Sequence, residues 1–236
     1  KLSSLSKKYK FNLIFKCSFY KANRSSHKSK RSQMSLNAAM DILKTIKKDF
    51  KLAVTTDVHE TSQISKLVEY IDVIQIPAFL SRQTDLIIAA ADTQKIINVK
   101  KGQFLSHSEV INIIKKIESR KNKSIIITER GNTFGYNYLV NDFKGIQLMK
   151  NFGYPIIFDS THSVQIPGGL GEKSGGAREY VLPLSKAASA LRIAGFFIET
   201  HPNPNVALSD GPNMVYLDKM DYLINSINKI NRAAKE

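Results

Sequence analysis

Lysine and arginine recur in this sequence where apolar runs end. Lys16, Lys21, Arg24, Lys100 and Arg130 occupy such ends, and Arg82 follows another run by a few residues. Cations gathered in a cleft favour phosphates and carboxylates, arginine through its planar fork and lysine as a compact charge. Any one of these lysines alone reads more often as a solvated side chain. As a set they point to phosphorylated substrates, and two anionic groups would occupy them better than one. A second set is His162, Glu199 and Asp210, with Asp57 and His59 of the same kind. Imidazole with carboxylates can ligate a divalent metal or handle protons. Their separations of 37 and 11 residues form no local metal motif. A strand-end histidine bonded to backbone, or an aspartate capping a turn, remains open for each. The stretch FKCSFYKANRSS (15–26) feeds several donors into one short loop, either to hold an anion or as a solvated basic turn. The glycine-rich PGGLGEKSGG (167–176) lacks the strand context of a dinucleotide loop and reads as a loop beside a site. No Ser-His-Asp motif and no paired-cysteine site occurs.

Something must bring these residues together, and the hydropathy pattern says what. Seven short runs recur: FNLIFKCSF (11–19), LAVTTDV (52–58), VIQIPA (73–78), IINVKK (96–101), SIIITER (124–130), PIIFDS (155–160) and GFFIET (195–200). They are nearly continuous in Val, Ile and Phe, as suits strands buried on both faces of a parallel sheet. Between them, segments such as NAAMDILKTIKKDF, SQISKLVEYI, QTDLIIAAADT and SEVINIIKKIES space apolar residues three or four apart. Thr61 or Ser62, and Ser106 or Ser108, are the N-cap candidates. Strand–helix alternation predicts a (β/α)₈ barrel or an open doubly wound sheet. Polar residues close every run, and in a barrel all those ends converge on one face, so the barrel is the expectation. The count is one strand short, because residues 1–10 read as the end of a helix whose strand is missing ahead of them. Residues 1–236 are expected to form a single catalytic domain.

The chain has 236 residues with 42% hydrophobic and 23% charged, a globular balance without low-complexity tracts. It has no apolar run long enough to span a bilayer and no leader-like start, so a cytoplasmic protein without membrane attachment is expected. One cysteine, Cys17, excludes an internal disulfide and reads as a small strand hydrophobe. The net charge of +15 lies mainly in residues 1–51, which hold fourteen Lys/Arg against two Asp/Glu. Much of it falls on the solvated face of one helical segment, and no zinc-finger spacing or RNA-binding aromatic signature accompanies it. No nucleic-acid partner is expected.

In their order, FKCSFYKANRSS, TDVHE, DVIQIPAFLSRQTDL, NVKKGQF, TERGNTFGY, FDSTHSVQIPGG, SGGAREY and ETHPNPNVALSDGPN resemble the 3-deoxy-D-manno-octulosonate 8-phosphate synthases, also called 2-dehydro-3-deoxyphosphooctonate aldolases. The matches run from about residue 11 to residue 215. The resemblance implies a TIM-barrel transferase condensing phosphoenolpyruvate with D-arabinose 5-phosphate in lipopolysaccharide synthesis, as a cytoplasmic homotetramer. It implies that Lys16 and Lys21 lie near phosphoenolpyruvate and that Asn23, Arg24 and Ser25 bind the sugar phosphate. Ala78 through its backbone, Lys100 and Arg130 match the phosphoenolpyruvate phosphate site, with Gln103 beside it. Arg82 matches an arginine reaching a phosphate across a subunit boundary, while Asp57, His59 and Gln75 match polar groups of the cleft. His162, Glu199 and Asp210 match three of four ligands in the metal-dependent branch, whose cofactor is a divalent ion with no organic group. His162, Asp210 and Lys21 are the implied catalytic residues.

The sequence also departs from that family. The fourth ligand there is a cysteine on the first strand, and Cys17 belongs to the following strand, so it is not that ligand. Tyr20 replaces a usual aspartate, and HKSKRSQMS (27–35) lacks usual glycines and is one residue longer. Two other readings stay open: the sister synthase that uses erythrose 4-phosphate, and an inactive barrel acting only in assembly. KANRSS separates the chain from the sister class, which carries a Lys-Pro-Arg-Thr loop. The missing strand, Tyr20 and Ser32 are what the inactive reading rests on.

Overall fold

The computed structural model describes residues 1–20, 34–135, 138–166 and 175–235. The chain divides into two compact units, Lys1–Lys100 with Ile111–Ile126, and Lys101–Val110 with Ile127–Glu236.

In the first unit, strands β1 (Ile14–Lys16), β2 (Ala53–Asp57), β3 (Val73–Ile76) and β4 (Ile96–Lys100) pair in parallel in that order. The pleat sends alternate side chains to opposite faces. The register aligns Lys16 with Thr55, Asp57 with Gln75, and Gln75 with Asn98. Lys16, Thr55, Asp57, Gln75, Asn98 and Lys100 therefore share one face. Val54, Ile74, Ile76, Ile97 and Val99 occupy the other and are essentially fully buried. The helices of this unit are α1 (Leu2–Tyr9), α2 (Leu36–Phe50), α3 (Thr61–Leu67), α4 (Thr84–Asp92) and α5 (Val110–Glu118). Leu43, Leu67, Ile87 and Ile114 are the buried stripes of α2 to α5, each burial stabilising by about 1.5–3 kcal/mol. Ser35 caps α2 by accepting the Ala38 N–H at 3.2 Å.

In the second unit, β5 (Ile125–Glu129, its first two residues belonging to the first unit) pairs with β6 (Ile156–Asp159), and β6 with β7 (Gly195–Phe197), all parallel. Glu129 is registered with Phe158, which puts Ile127, Glu129, Ile156 and Phe158 on one face. Thr128 and Asp159 lie on the opposite face, and Arg130 continues it. Phe158 meets Phe143 of α6 (Phe143–Lys150) edge-on at 6.0 Å, so its face is the helix-covered one. Asp142 caps α6 by accepting the Gly145 N–H at 2.8 Å. A Cβ at Gly145 would come within 2.4 Å of that carboxylate. Helices α7 (Val181–Ala190) and α8 (Met220–Ala233) complete the unit. They are joined by the buried Ser189 hydroxyl, which donates to the Ile227 carbonyl at 2.8 Å.

Among the described residues the main sheet has seven strands, and their order in space is their order in the chain. A doubly wound sheet reverses direction at a switch point. Uninterrupted order with a helix after every strand is the connectivity of a (β/α)₈ barrel with one strand fewer. Helix α1 precedes β1 without a strand of its own in this chain. No described helix is long and apolar enough to cross a membrane.

Some boundaries differ from expectation. The first run was expected over 11–19 but pairs only over Ile14–Lys16. GFFIET leaves the sheet after Phe197, and Thr200–His201 pairs instead with Val215–Tyr216. Helix α3 begins at Thr61 with Glu60 as its cap residue, without a side-chain bond. At the start of α5, Glu109 reaches back to accept the Ser106 N–H at 2.9 Å, while the Ser106 and Ser108 hydroxyls bond each other. Phe158→Ala should destabilise the protein by about 3–5 kcal/mol, read as a lower midpoint in urea unfolding followed by circular dichroism.

Candidate active site

In the first unit the site is organised by Asp57 at the end of β2. Lys16 Nζ lies 3.4 Å from Asp57 Oδ1, and the Ser18 hydroxyl bridges them at 2.5 Å from each. His59 Nε2 lies 3.2 Å from Asp57 Oδ2. Burial pushes the Asp57 carboxyl up. The Lys16 charge, with the His59 and Ser18 hydrogen bonds, overrides burial and holds the carboxyl well below the usual carboxylate range. The Gln63 side chain accepts the His59 backbone N–H at 2.8 Å, and Tyr20 meets the His59 ring edge-on at 5.5 Å. Gln75 and Lys100 follow Asp57 on the same face and are buried. Among the described residues, Gln75 Oε1 and His59 Nδ1 are buried without a hydrogen-bond partner. Ala78 opens a 3₁₀ turn, Ala78–Leu80, and Arg82 is exposed just beyond it.

In the second unit the face of Thr128 carries Arg130, Asp159 and, past β7, Glu199. Arg130 is buried and donates through Nη2 to Gln165 Oε1 at 3.1 Å and to the His162 carbonyl at 3.4 Å. Burial lowers the guanidinium pKa, and the charges of Asp159, Glu129 and Asp210 oppose that shift. Its Nη1 has no hydrogen-bond partner among the described residues, nor has Gln103 Oε1. Buried polar atoms are rarely left so in a native protein, and Thr56, Ser81, Glu129 and Asn213 carry others.

His162, Glu199 and Asp210 do come together. One ligand atom from each lies within 4.8 Å of the others. Asp159, fully buried, accepts from His162 Nδ1 at 2.9 Å and from the His162 N–H at 2.9 Å. That carboxylate places the ring proton on Nδ1 and aims Nε2 at Glu199 Oε1, 3.8 Å away. Glu199 Oε2 is buried without a hydrogen-bond partner among the described residues. Gln165 also donates to Asp210 Oδ1 at 3.4 Å. Asp210 has φ of 55°, in the left-handed region. Two carboxylates, an oriented imidazole and an orphaned oxygen suit a divalent cation.

Lys21, Asn23, Arg24 and Ser25 lie outside the described residues. Ser18, Asp159, Gln165 and the Lys101–Glu129 pair were not among the expected site residues. Asp159 was legible as a carboxylate three residues before His162. Ser18, two residues beyond Lys16 on the same pleat face, had the right parity. Nothing local distinguished Gln165.

The DAHP synthetase I family matches residues 1–236, the whole chain. The chain belongs to that family. The 2-dehydro-3-deoxyphosphooctonate aldolase of Brucella anthropi is 48% identical over 235 residues, covering 100% of this chain and 84% of that protein. Its namesake in Brucella abortus is 47% identical over 235 residues, covering 100% and 84%. That of a Cyanothece species is 50% identical over 220 residues, covering 93% and 80%. The relatives carry the name to which the sequence motifs pointed. Within this DAHP synthetase I member, Asp57 makes a prediction about acid. Its pKa is lower folded than the ordinary 3.8, so its stabilisation is fully present above that value and is lost as pH falls below it. Urea unfolding from pH 7 to pH 3 should show this loss only below about pH 4, and Asp57→Asn should be less stable at pH 7 and lack that acid-side segment.

Proposed function

We propose that this chain condenses phosphoenolpyruvate with D-arabinose 5-phosphate, giving 3-deoxy-D-manno-octulosonate 8-phosphate and inorganic phosphate. The observation that carries the reading is near-half identity, over the whole chain, to proteins named 2-dehydro-3-deoxyphosphooctonate aldolase. The product belongs to lipopolysaccharide synthesis. The chain acts as one catalytic domain within a cytoplasmic homotetramer, in which the exposed Arg82 reaches a phosphate of a neighbouring subunit.

The chemistry suits the residue types. The enol carbon of phosphoenolpyruvate attacks the sugar aldehyde, whose oxygen takes up a proton. Water adds at the adjacent carbon, and phosphate leaves with cleavage of its carbon–oxygen bond. Lys100, Arg130, the Ala78 N–H and Gln103 bind the phosphoenolpyruvate phosphate, and Lys16 and Lys21 bind at its carboxylate end. Asn23, Arg24 and Ser25 take the sugar phosphate, while Asp57, His59 and Gln75 orient the reacting groups between the two anions. Holding both partners in attack geometry removes much of the entropic barrier. Asp57 keeps Lys16 oriented at 3.4 Å, and the low carboxyl pKa keeps the Asp57 side charged throughout the neutral range. His162 and Asp210 position the water, whose proton is the one that the aldehyde oxygen takes up. His162, Glu199 and Asp210 would hold a divalent cation, which when bound supplies positive charge to polarise an oxygen near them.

The deciding assay follows loss of phosphoenolpyruvate absorbance with arabinose 5-phosphate or erythrose 4-phosphate, each with and without chelator. Turnover only with arabinose 5-phosphate, lost with chelator and regained with a divalent ion, is the expected result. Turnover with erythrose 4-phosphate would assign the sister activity, and none with either sugar would sink the enzymatic reading. Asp159→Asn should weaken divalent-ion binding by about 10–100-fold, as removal of a ligand's hydrogen-bond partner does. Calorimetric titration of the metal-stripped protein measures it directly.

A further inference from the structure

Lys101 and Glu129 are almost wholly buried, at 2% and 1% exposure, and no step proposed above uses them. By the alternation of the pleat, Lys101 points opposite to Lys100 and Glu129 opposite to Arg130. They therefore face away from the side that carries the phosphate-binding cations. Two charges in such a place are expensive to desolvate, and a well-packed apolar pair would be as stable or more so. Stability alone does not explain them.

Their bonds show what they hold. Lys101 Nζ lies 3.4 Å from Glu129 Oε2, donates to the Leu105 carbonyl at 3.0 Å and bonds Asn132 Oδ1. Glu129 Oε1 accepts the N–H of Gly131 at 2.5 Å, closing a loop around the backbone of Arg130. Gly131 has φ of 92°, so the chain turns sharply there. The Lys101 N–H donates to the Thr128 carbonyl at 2.9 Å, and the Thr133 N–H donates to the Gln103 carbonyl at 2.9 Å. The pair thus fastens the 101–105 loop to the 129–133 turn. One of these segments contains Gln103, and the other contains Arg130.

We propose that the Lys101–Glu129 ion pair is a positioning device that fixes Arg130 and Gln103 for phosphoenolpyruvate phosphate. The inference rests on the functional reading above. Neither residue touches substrate. Each acts through its neighbour: Glu129 by holding the turn around Arg130, Lys101 by holding Glu129 and the loop of Gln103.

The test separates positioning from stability. Lys101→Met combined with Glu129→Leu removes both charges and leaves no buried ion unpaired, so its melting temperature should stay within about 4 °C of the parent. Its KM for phosphoenolpyruvate should nevertheless rise about 10-fold or more, with KM for the pentose phosphate little changed. A folded double variant with the parental KM for phosphoenolpyruvate would show the pair to be structural only and overturn the proposal. Should the double variant not fold, Asn132→Ala removes one acceptor of Lys101 and leaves the ion pair in place. The same selective rise in KM supports the proposal, and an unchanged KM overturns it. A parent protein without turnover would overturn the functional reading and this inference with it. Turnover in the parent beside an unresponsive variant would overturn the inference alone.

Discussion

A parallel strand covered on both faces gives its side chains nowhere to meet bulk water, and this constraint governs everything else in the molecule. Any charge on such a strand must find a partner at a distance set by the pleat and the register. Asp57 shows the outcome. Its registered neighbour is Gln75, its cation comes from β1, and its imidazole comes from two residues further along its own chain. The carboxylate keeps its charge despite burial only because those groups converge on it. Lose the register by one residue, and the polar row would point into the helix layer.

The second unit handles the same constraint differently. There, charge is divided between the two faces. Arg130 and Asp159 occupy the side that carries the candidate site, while Glu129 and Lys101 neutralise each other behind it. The front is incompletely satisfied, with an arginine nitrogen, a glutamine oxygen and a glutamate oxygen lacking hydrogen-bond partners among the described residues. The back is held by the Lys101–Glu129 ion pair and the Glu129–Gly131 bond, although Glu129 Oε2 also lacks a hydrogen-bond partner among the described residues. Arg130 shows both uses in one side chain, with Nη2 bonded to the His162 carbonyl and Nη1 without a hydrogen-bond partner among the described residues.

The sequence made the strand–helix order legible because buried parallel strands are nearly continuous in Val, Ile and Phe, and because every one ended in polar residues. It also made the triad of His162, Glu199 and Asp210 nameable, though only through resemblance, since separations of 37 and 11 residues have no local meaning. What escaped was the second partner of each pair. Asp159 holds the ring of His162, Ser18 bridges Lys16 to Asp57, and Gln165 reaches both Arg130 and Asp210. Such partners are chosen by distance after folding, and no periodicity announces them. Strand ends escaped too: the largely apolar run 11–19 pairs only over Ile14–Lys16, although β2 continues to Asp57.

The backbone of Asp210 sets one further limit. With φ of 55° it occupies a region that glycine, asparagine and aspartate enter readily and that β-branched or bulky side chains resist. A β-branched valine there meets backbone strain before any chemistry is tested. Asparagine and glycine, which that conformation tolerates, both remove the negative charge. The backbone therefore readily accepts a loss of charge here, so the turn by itself does not hold the carboxylate in place.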